Sequence, residues 1–172
     1  ATVEPMKGKL TTREWNEFVS GTRMPSTMAI PEGGRTWHHT MGYLLPAKEL
    51  EKTDPECIAL IGGCRKVYDK DDVIYQQYCL SNPKVQELMK EAVLKWIEKD
   101  KEHLYYPVHY ADTSEFCECE RCRAMYAKLG NNADIICWFS NKIAKAVAEK
   151  YPGKYITTMA YHSTFQPQGN VR

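Results

Sequence analysis

The sequence predicts an α/β fold with parallel strands, part of a larger barrel, on three observations. Two segments rich in aromatic and β-branched residues, LYYPVHYA at 104–111 and YITTMAY at 155–161, read as strands. Two helical stretches separate them, a connection too long for a hairpin, so the strands should run parallel through a right-handed crossover. The sequence then closes on QGNVR, soon after the second strand, where a complete α/β fold normally adds another helix. The chain is therefore expected to be one domain over 1–172 and an incomplete segment of a barrel.

The elements follow in order. TTRE opens a first helix, because Thr11 and Glu14 have capping-box spacing and Trp15, Phe18 and Val19 make an apolar stripe that stops near Gly21. Pro25, Pro31, Gly33 and Gly34 punctuate the next stretch into loops with a short extended piece. PAKELEKTD reads as one or two helical turns. CIALIGGCRKVY reads as two short strands around Gly62-Gly63, a hairpin signal. Ser81 or Asn82 should cap a helix that has Pro83 in its first turn and Val85, Leu88, Met89, Ala92, Val93, Trp96 and Ile97 along one face. Apolar and aromatic residues on both faces of LYYPVHYA predict a strand covered on both sides. CERCRAMYAKLG is a short helix ending at Gly130. Asn131 or Asn132 caps the next, whose buried stripe is Ile135, Phe139, Ile143 and Val147.

Composition excludes several classes. Hydrophobic residues make up 43% of the 172, enough for a core, so disorder is not expected. With 23 Lys+Arg against 22 Asp+Glu and no basic run, neither a nucleic-acid nor an anionic-membrane footprint is present. No apolar stretch approaches the ~20 residues of a membrane helix, and the opening ATVEPMKGKLTTREW lacks a signal-peptide core.

Ligands of such sheets collect beyond the carboxyl ends of the strands. Asp112 stands at that position. A carboxylate there is either structural and hydrogen-bonded or functional. Glu115, three residues on, is the candidate second carboxylate. Alternation puts His109 and Ala111 on one strand face and Tyr110 and Asp112 on the other, and would likewise point His38 and His39 to opposite faces. Trp37 suits stacking on a sugar ring and His38 suits hydroxyl recognition or metal binding. Tyr161 and His162 end the second strand.

The sequence has seven cysteines, and three of them form CxCxxC at Cys117, Cys119 and Cys122. A structural zinc site wants four ligands, and Cys79 is the best remote fourth. Zinc and a disulfide both remain open. A redox role is disfavoured, since a thioredoxin-type CxxC follows a strand without an intervening acidic loop.

GTRM, GGRTWHHTMGYLLP, DPECIALIGGCRK, YCLSNPKVQELM, YADTSEFCECERC and NADIICWFSNKIAKAVAEKYPGKYITTMAYHSTFQP together resemble the domain-of-unknown-function family four-eight-three-eight, found in large secreted bacterial glycan-degrading proteins. The resemblance implies a (β/α)8 TIM-type barrel related to those of α-glucuronidases, β-hexosaminidases and endo-β-N-acetylglucosaminidases. It implies hydrolysis of glycans that carry N-acetylglucosamine or uronic acid, with Asp112 as a catalytic or acetamido-orienting carboxylate and Glu115 as a second candidate. Trp37, His38, Tyr110, Tyr161 and His162 would line the sugar site. Ala111, Thr113 and Arg35 depart from the family pattern, which has Asn, Gly and a Gly-His turn there. The implied setting is secreted, periplasmic or cell-surface. No cofactor is required for catalysis, and a structural zinc is the candidate metal. The expected partners are an oligosaccharide and either the remainder of the barrel or a second copy, because an open parallel sheet exposes its edges.

Overall fold

The computed structural model describes residues 28–164. The helix expected from Thr11 to Gly21 lies outside them.

The described residues form a mixed α/β structure around a small parallel sheet, with no barrel closure among them. Helices α1 (Met41–Leu44) and α2 (Ala47–Thr53) lead into an antiparallel hairpin of β1 (Leu60–Ile61) and β2 (Cys64–Arg65). Its tip, Gly62-Gly63, has φ of 55° and 78°. A two-residue turn of this hand needs positive φ at both positions, which glycine adopts without a Cβ clash. A 3-10 turn at Val73–Tyr75 follows, then α3 (Pro83–Lys99), β3 (Tyr105–Pro107), α4 (Glu120–Leu129), α5 (Asn132–Lys150), β4 (Tyr155–Thr157) and a 3-10 turn at His162–Thr164.

The caps are those the sequence offers. The Asn82 side chain accepts from the Lys84 amide at 2.9 Å with Pro83 behind it, and Asn131 accepts from Asp134 at 2.8 Å. Each such cap stabilises its helix by about 1 kcal/mol.

β3 and β4 pair in parallel, in register from Tyr105–Tyr155 to Pro107–Thr157, across the α4–α5 crossover. Met28 adds a parallel bridge to Tyr105. The Tyr105 carbonyl accepts from Ala29, and the Leu104 carbonyl accepts from Tyr155. Successive carbonyls point to opposite strand edges, so β3 lies between its two neighbours.

α5 packs on α3 and β4, and the expected stripes are buried: Val85, Met89, Val93, Trp96 and Ile97 from one helix, Ile135, Phe139, Ile143 and Val147 from the other. Each large side chain among them contributes about 1.5–3 kcal/mol by leaving water. Tyr106 and Val108 fill the sheet side of this core.

Two stretches differ from expectation. Residues 41–44 are helical where loops were read. Gly42 permits this: a Cβ there would overlap the Val73 carbonyl oxygen, so only glycine lets α1 lie against the 73–75 turn. The second difference is that β3 ends at Pro107, short of Asp112. The buried Thr40 hydroxyl donates to the Pro107 carbonyl at 2.6 Å and accepts from the His109 amide at 3.0 Å. A side chain thus takes the hydrogen bonds that a neighbouring strand would have supplied. Past Val108 the ladder stops, His109, Tyr110 and Ala111 are all buried, and the two-face alternation does not extend to them.

Candidate functional site

Two groups of chemically capable side chains gather around the loop that leaves β3. The first is a cluster of thiols. The Sγ atoms of Cys79, Cys117, Cys119 and Cys122 all lie within 4.8 Å of one another. All seven cysteines are free, so a disulfide is not the arrangement here. Cys79 Sγ lies 3.6 Å from Cys119 Sγ and 3.7 Å from Cys122 Sγ. Zn–S bonds of about 2.3 Å at tetrahedral angles place sulfurs about 3.8 Å apart, so the spacing suits a four-thiolate ion site. Surrounding donors fit the same purpose. The Leu60 amide points to Cys117 Sγ at 3.3 Å, and Ser81 Oγ lies 3.0 Å from Cys122 Sγ. Such donors orient thiolates and offset their charge.

The thiols ionise as a set. S–H groups of Cys117 and Cys122 hold the Cys79 thiol far below the ordinary thiol range, while hydrogen bonding with Cys117 and Cys79, together with burial, pushes Cys122 far above it. One negative charge thus settles easily and further ones do not. A divalent cation removes that limit, because its charge favours deprotonation of every ligand. The four cysteines could therefore bind a metal, and the donor set is compatible with structural zinc.

The second group gathers over the carboxyl end of the parallel sheet. The Thr40 strap brings segment 36–40 against the exit of β3. There the Trp37 and His38 rings lie 3.6 Å apart between centroids at a 33° tilt, and Trp37 meets buried His109 edge-on at 5.9 Å. His39 Nδ1 lies 2.8 Å from the Tyr110 carbonyl, and Nε2 lies 3.7 Å from Asp112 Oδ1. The Tyr161 ring packs edge-on against His39 at 5.9 Å and His162 at 4.0 Å. Asp112 is anchored through its amide, which donates to the Ile74 carbonyl at 2.9 Å. Its side chain keeps 33% exposure and that of His39 keeps 13%, so the pair is open to a ligand.

Among the described residues, His39 and His162 are the non-glycine residues with positive φ, both at 48°. That conformation is costly for a side chain bearing a Cβ, and such residues concentrate at working sites. Burial, then the neighbouring His39, lowers the His38 pKa. Burial, then His38 and His39, pushes His109 down to about 3, so it stays neutral with Nε2 3.1 Å from Thr157 Oγ1.

Of the residues singled out from sequence, Asp112, Trp37, His38, Tyr161 and His162 come together here. Tyr110 is buried beneath them. Its ring stacks on Phe116 at 4.4 Å, and its hydroxyl donates to the Glu115 carbonyl. The Glu115 side chain is exposed and lines a separate cavity of about 250 Å³ with Ala59, Ile61, Lys66, Tyr68 and Gln77.

Sequence reasoning passed over His39. Strand alternation would have sent it away from His38, but residues 36–39 are bends and both rings reach the strand-end group. The HH doublet beside two glycines was the available signal. Thr40 carried none, since its role depends on a segment 67 residues away.

No helix among the described residues is long and apolar enough to cross a membrane. The chain matches the family model described as a domain of unknown function (DUF4838) over residues 7–172, and it belongs to that family. No curated protein and no solved structure matches it.

Proposed function

We propose that this member of the family is a sector of a glycan-hydrolysing (β/α)8 barrel, with Asp112 as the carboxylate that works on the sugar. The observation that carries the reading is the convergence of Trp37, His38, His39, Asp112, Tyr161 and His162 from three chain segments at the carboxyl end of the parallel sheet. Barrel enzymes build their sites there, and an indole beside hydroxyl-binding groups suits a pyranose ring. The resemblance in sequence supports the substrate class, glycans with N-acetylglucosamine or uronic acid. In that class the carboxylate either orients the N-acetyl group for attack or protonates the leaving oxygen. Glu115 is the weaker candidate for a second carboxylate, since it opens to a different cavity.

The same reading assigns a structural zinc to Cys79, Cys117, Cys119 and Cys122. The ion would supply no catalytic step. Its work is to hold the loop between β3 and α4, whose other ties are the Tyr110–Phe116 stack and the Glu118 amide on the Leu60 carbonyl. The implied setting is outside the cytoplasm, and the rest of the barrel or a second copy covers the open edge of β4.

The test is hydrolysis of an aryl N-acetylglucosaminide and an aryl glucuronide by the full-length protein and by Asp112→Asn. Turnover that falls at least about a hundredfold in the variant supports the reading. Sugar binding without turnover in the parent protein would leave a non-catalytic carbohydrate-binding relative.

A further inference from the structure

We infer that His39 and Asp112 form a two-acceptor clamp for the vicinal diol of a sugar ring. The inference rests on the carbohydrate reading above, in the form in which Asp112 is the ionised carboxylate that orients the N-acetyl group, and assigns a binding role to a specific pair of atoms.

The tautomer follows from one contact. A carbonyl oxygen can only accept, so the 2.8 Å approach of His39 Nδ1 to the Tyr110 carbonyl requires Nδ1 to carry the proton. In neutral His39, Nε2 is then a bare acceptor. It faces Asp112 Oδ1, a second acceptor, at 3.7 Å. That distance is too long for a direct hydrogen bond even if Nε2 were protonated. The two atoms thus present adjacent lone pairs at a partly exposed surface; Nδ1 on the Tyr110 carbonyl orients the His39 ring, and the amide on Ile74 places the Asp112 main chain.

Such a pair asks for two donors. The span decides which kind. A single water or ammonium that donates two hydrogen bonds of about 2.8 Å at the tetrahedral angle holds its acceptors about 4.5 Å apart. The observed 3.7 Å is narrower. Two donors on neighbouring atoms suit it better, and a gauche vicinal diol provides them, since its oxygens sit closer together than these acceptors. A metal ion is the other species that binds lone pairs, but among the described residues no third His, Cys, Asp or Glu ligand completes a site here. Tyr161, edge-on to His39, and Trp37, tilted against His38, supply aromatic walls for the ring that bears the diol.

The experiment uses the full-length protein with methyl N-acetyl-β-glucosaminide and its 3-deoxy and 4-deoxy analogues. Nitrogen-15 spectra read the His39 ring and calorimetry reads affinity. The expected result is a protonated Nδ1 and a bare Nε2, an Nε2 resonance that shifts on adding the parent sugar, and a loss of at least about tenfold in affinity for the deoxy analogues and in His39→Phe. A proton on Nε2 in the free protein, equal affinity for parent and deoxy sugars, or no sugar binding at all overturns the clamp. Turnover lost in Asp112→Asn, with deoxy sugars still bound like the parent, overturns the clamp and leaves the hydrolase reading standing. Diol-dependent binding without turnover does the reverse.

Discussion

The thiol cluster takes three of its four sulfurs from six consecutive residues, whereas the strand-end group draws on three segments, 37–39, residue 112 and 161–162. They share one loop but depend on the fold differently. The cluster needs one long-range approach, Cys79 to the loop, and a bound ion would pull that approach tight. The strand-end group needs several at once. Thr40 straps its segment to β3, Ile74 holds the Asp112 amide, and Gly42 lets α1 lie against the turn that contains Ile74. The cluster should therefore fail through its own ligands, and the strand-end group through residues that touch no ligand.

The largest effect should come from the cluster. Cys79→Ser is expected to reduce bound zinc from one per chain to none and to destabilise the fold by at least about 4 kcal/mol, part of the ~10–16 kcal/mol that zinc supplies to small finger domains. Metal analysis and urea melts read both. Full zinc occupancy in the variant would break the comparison, because Cys79 would then not be the long-range ligand.

Gly42→Ala should come next, at about 3 kcal/mol, since the new methyl group overlaps the Val73 carbonyl. Zinc should stay bound while the amide resonance of Asp112 and the ring of His39 both move. Loss of zinc together with an unmoved Asp112 would reverse the assignment of the two regions to separate supports.

The smallest effect separates them by pH. Burial lowers the His109 pKa from about 6.5 in the unfolded chain to about 3 in the folded one. The unfolded state binds the proton first, so this residue's contribution is complete above pH 6.5 and is lost as pH falls toward 3. By pH 5 the loss should be about 2 kcal/mol. Acid also protonates thiolates, so the slope is to be measured in metal-free Cys79→Ser, with His109→Gln as the comparison. If the two melts share one pH dependence, His109 is not the titrating group.

Much of the local structure was legible because its causes are local. Asn82-Pro83, Asn131 and Gly62-Gly63 act within a few residues, and the stripe from Ile135 to Val147 needs only helical spacing. The cysteine spacing offered three thiols for the same reason, while Cys79 could only be nominated as a remote fourth and zinc could not be told from a disulfide. The strand-end group was legible only in part. Asp112, Tyr161 and His162 could be named as strand-end residues and Trp37 and His38 as candidates for a sugar site, but His39 was set aside by a strand alternation that its bend does not obey. Glu115 looked adjacent to Asp112 in sequence, yet its side chain opens to another cavity.

The sequence by itself determined which residues cap, turn and line the helices, and that three cysteines sit together in CxCxxC. Those outcomes follow from short-range sterics and periodicity, which operate within a turn or two of chain. Only the tertiary structure decided where β3 stops, which nitrogen of His39 meets the Tyr110 carbonyl, that the other nitrogen stands 3.7 Å from an Asp112 oxygen, and that Cys79 joins the thiol cluster. Each of these depends on a contact between groups distant in the chain. No local preference encodes such a contact, because its partner arrives only when the core has packed.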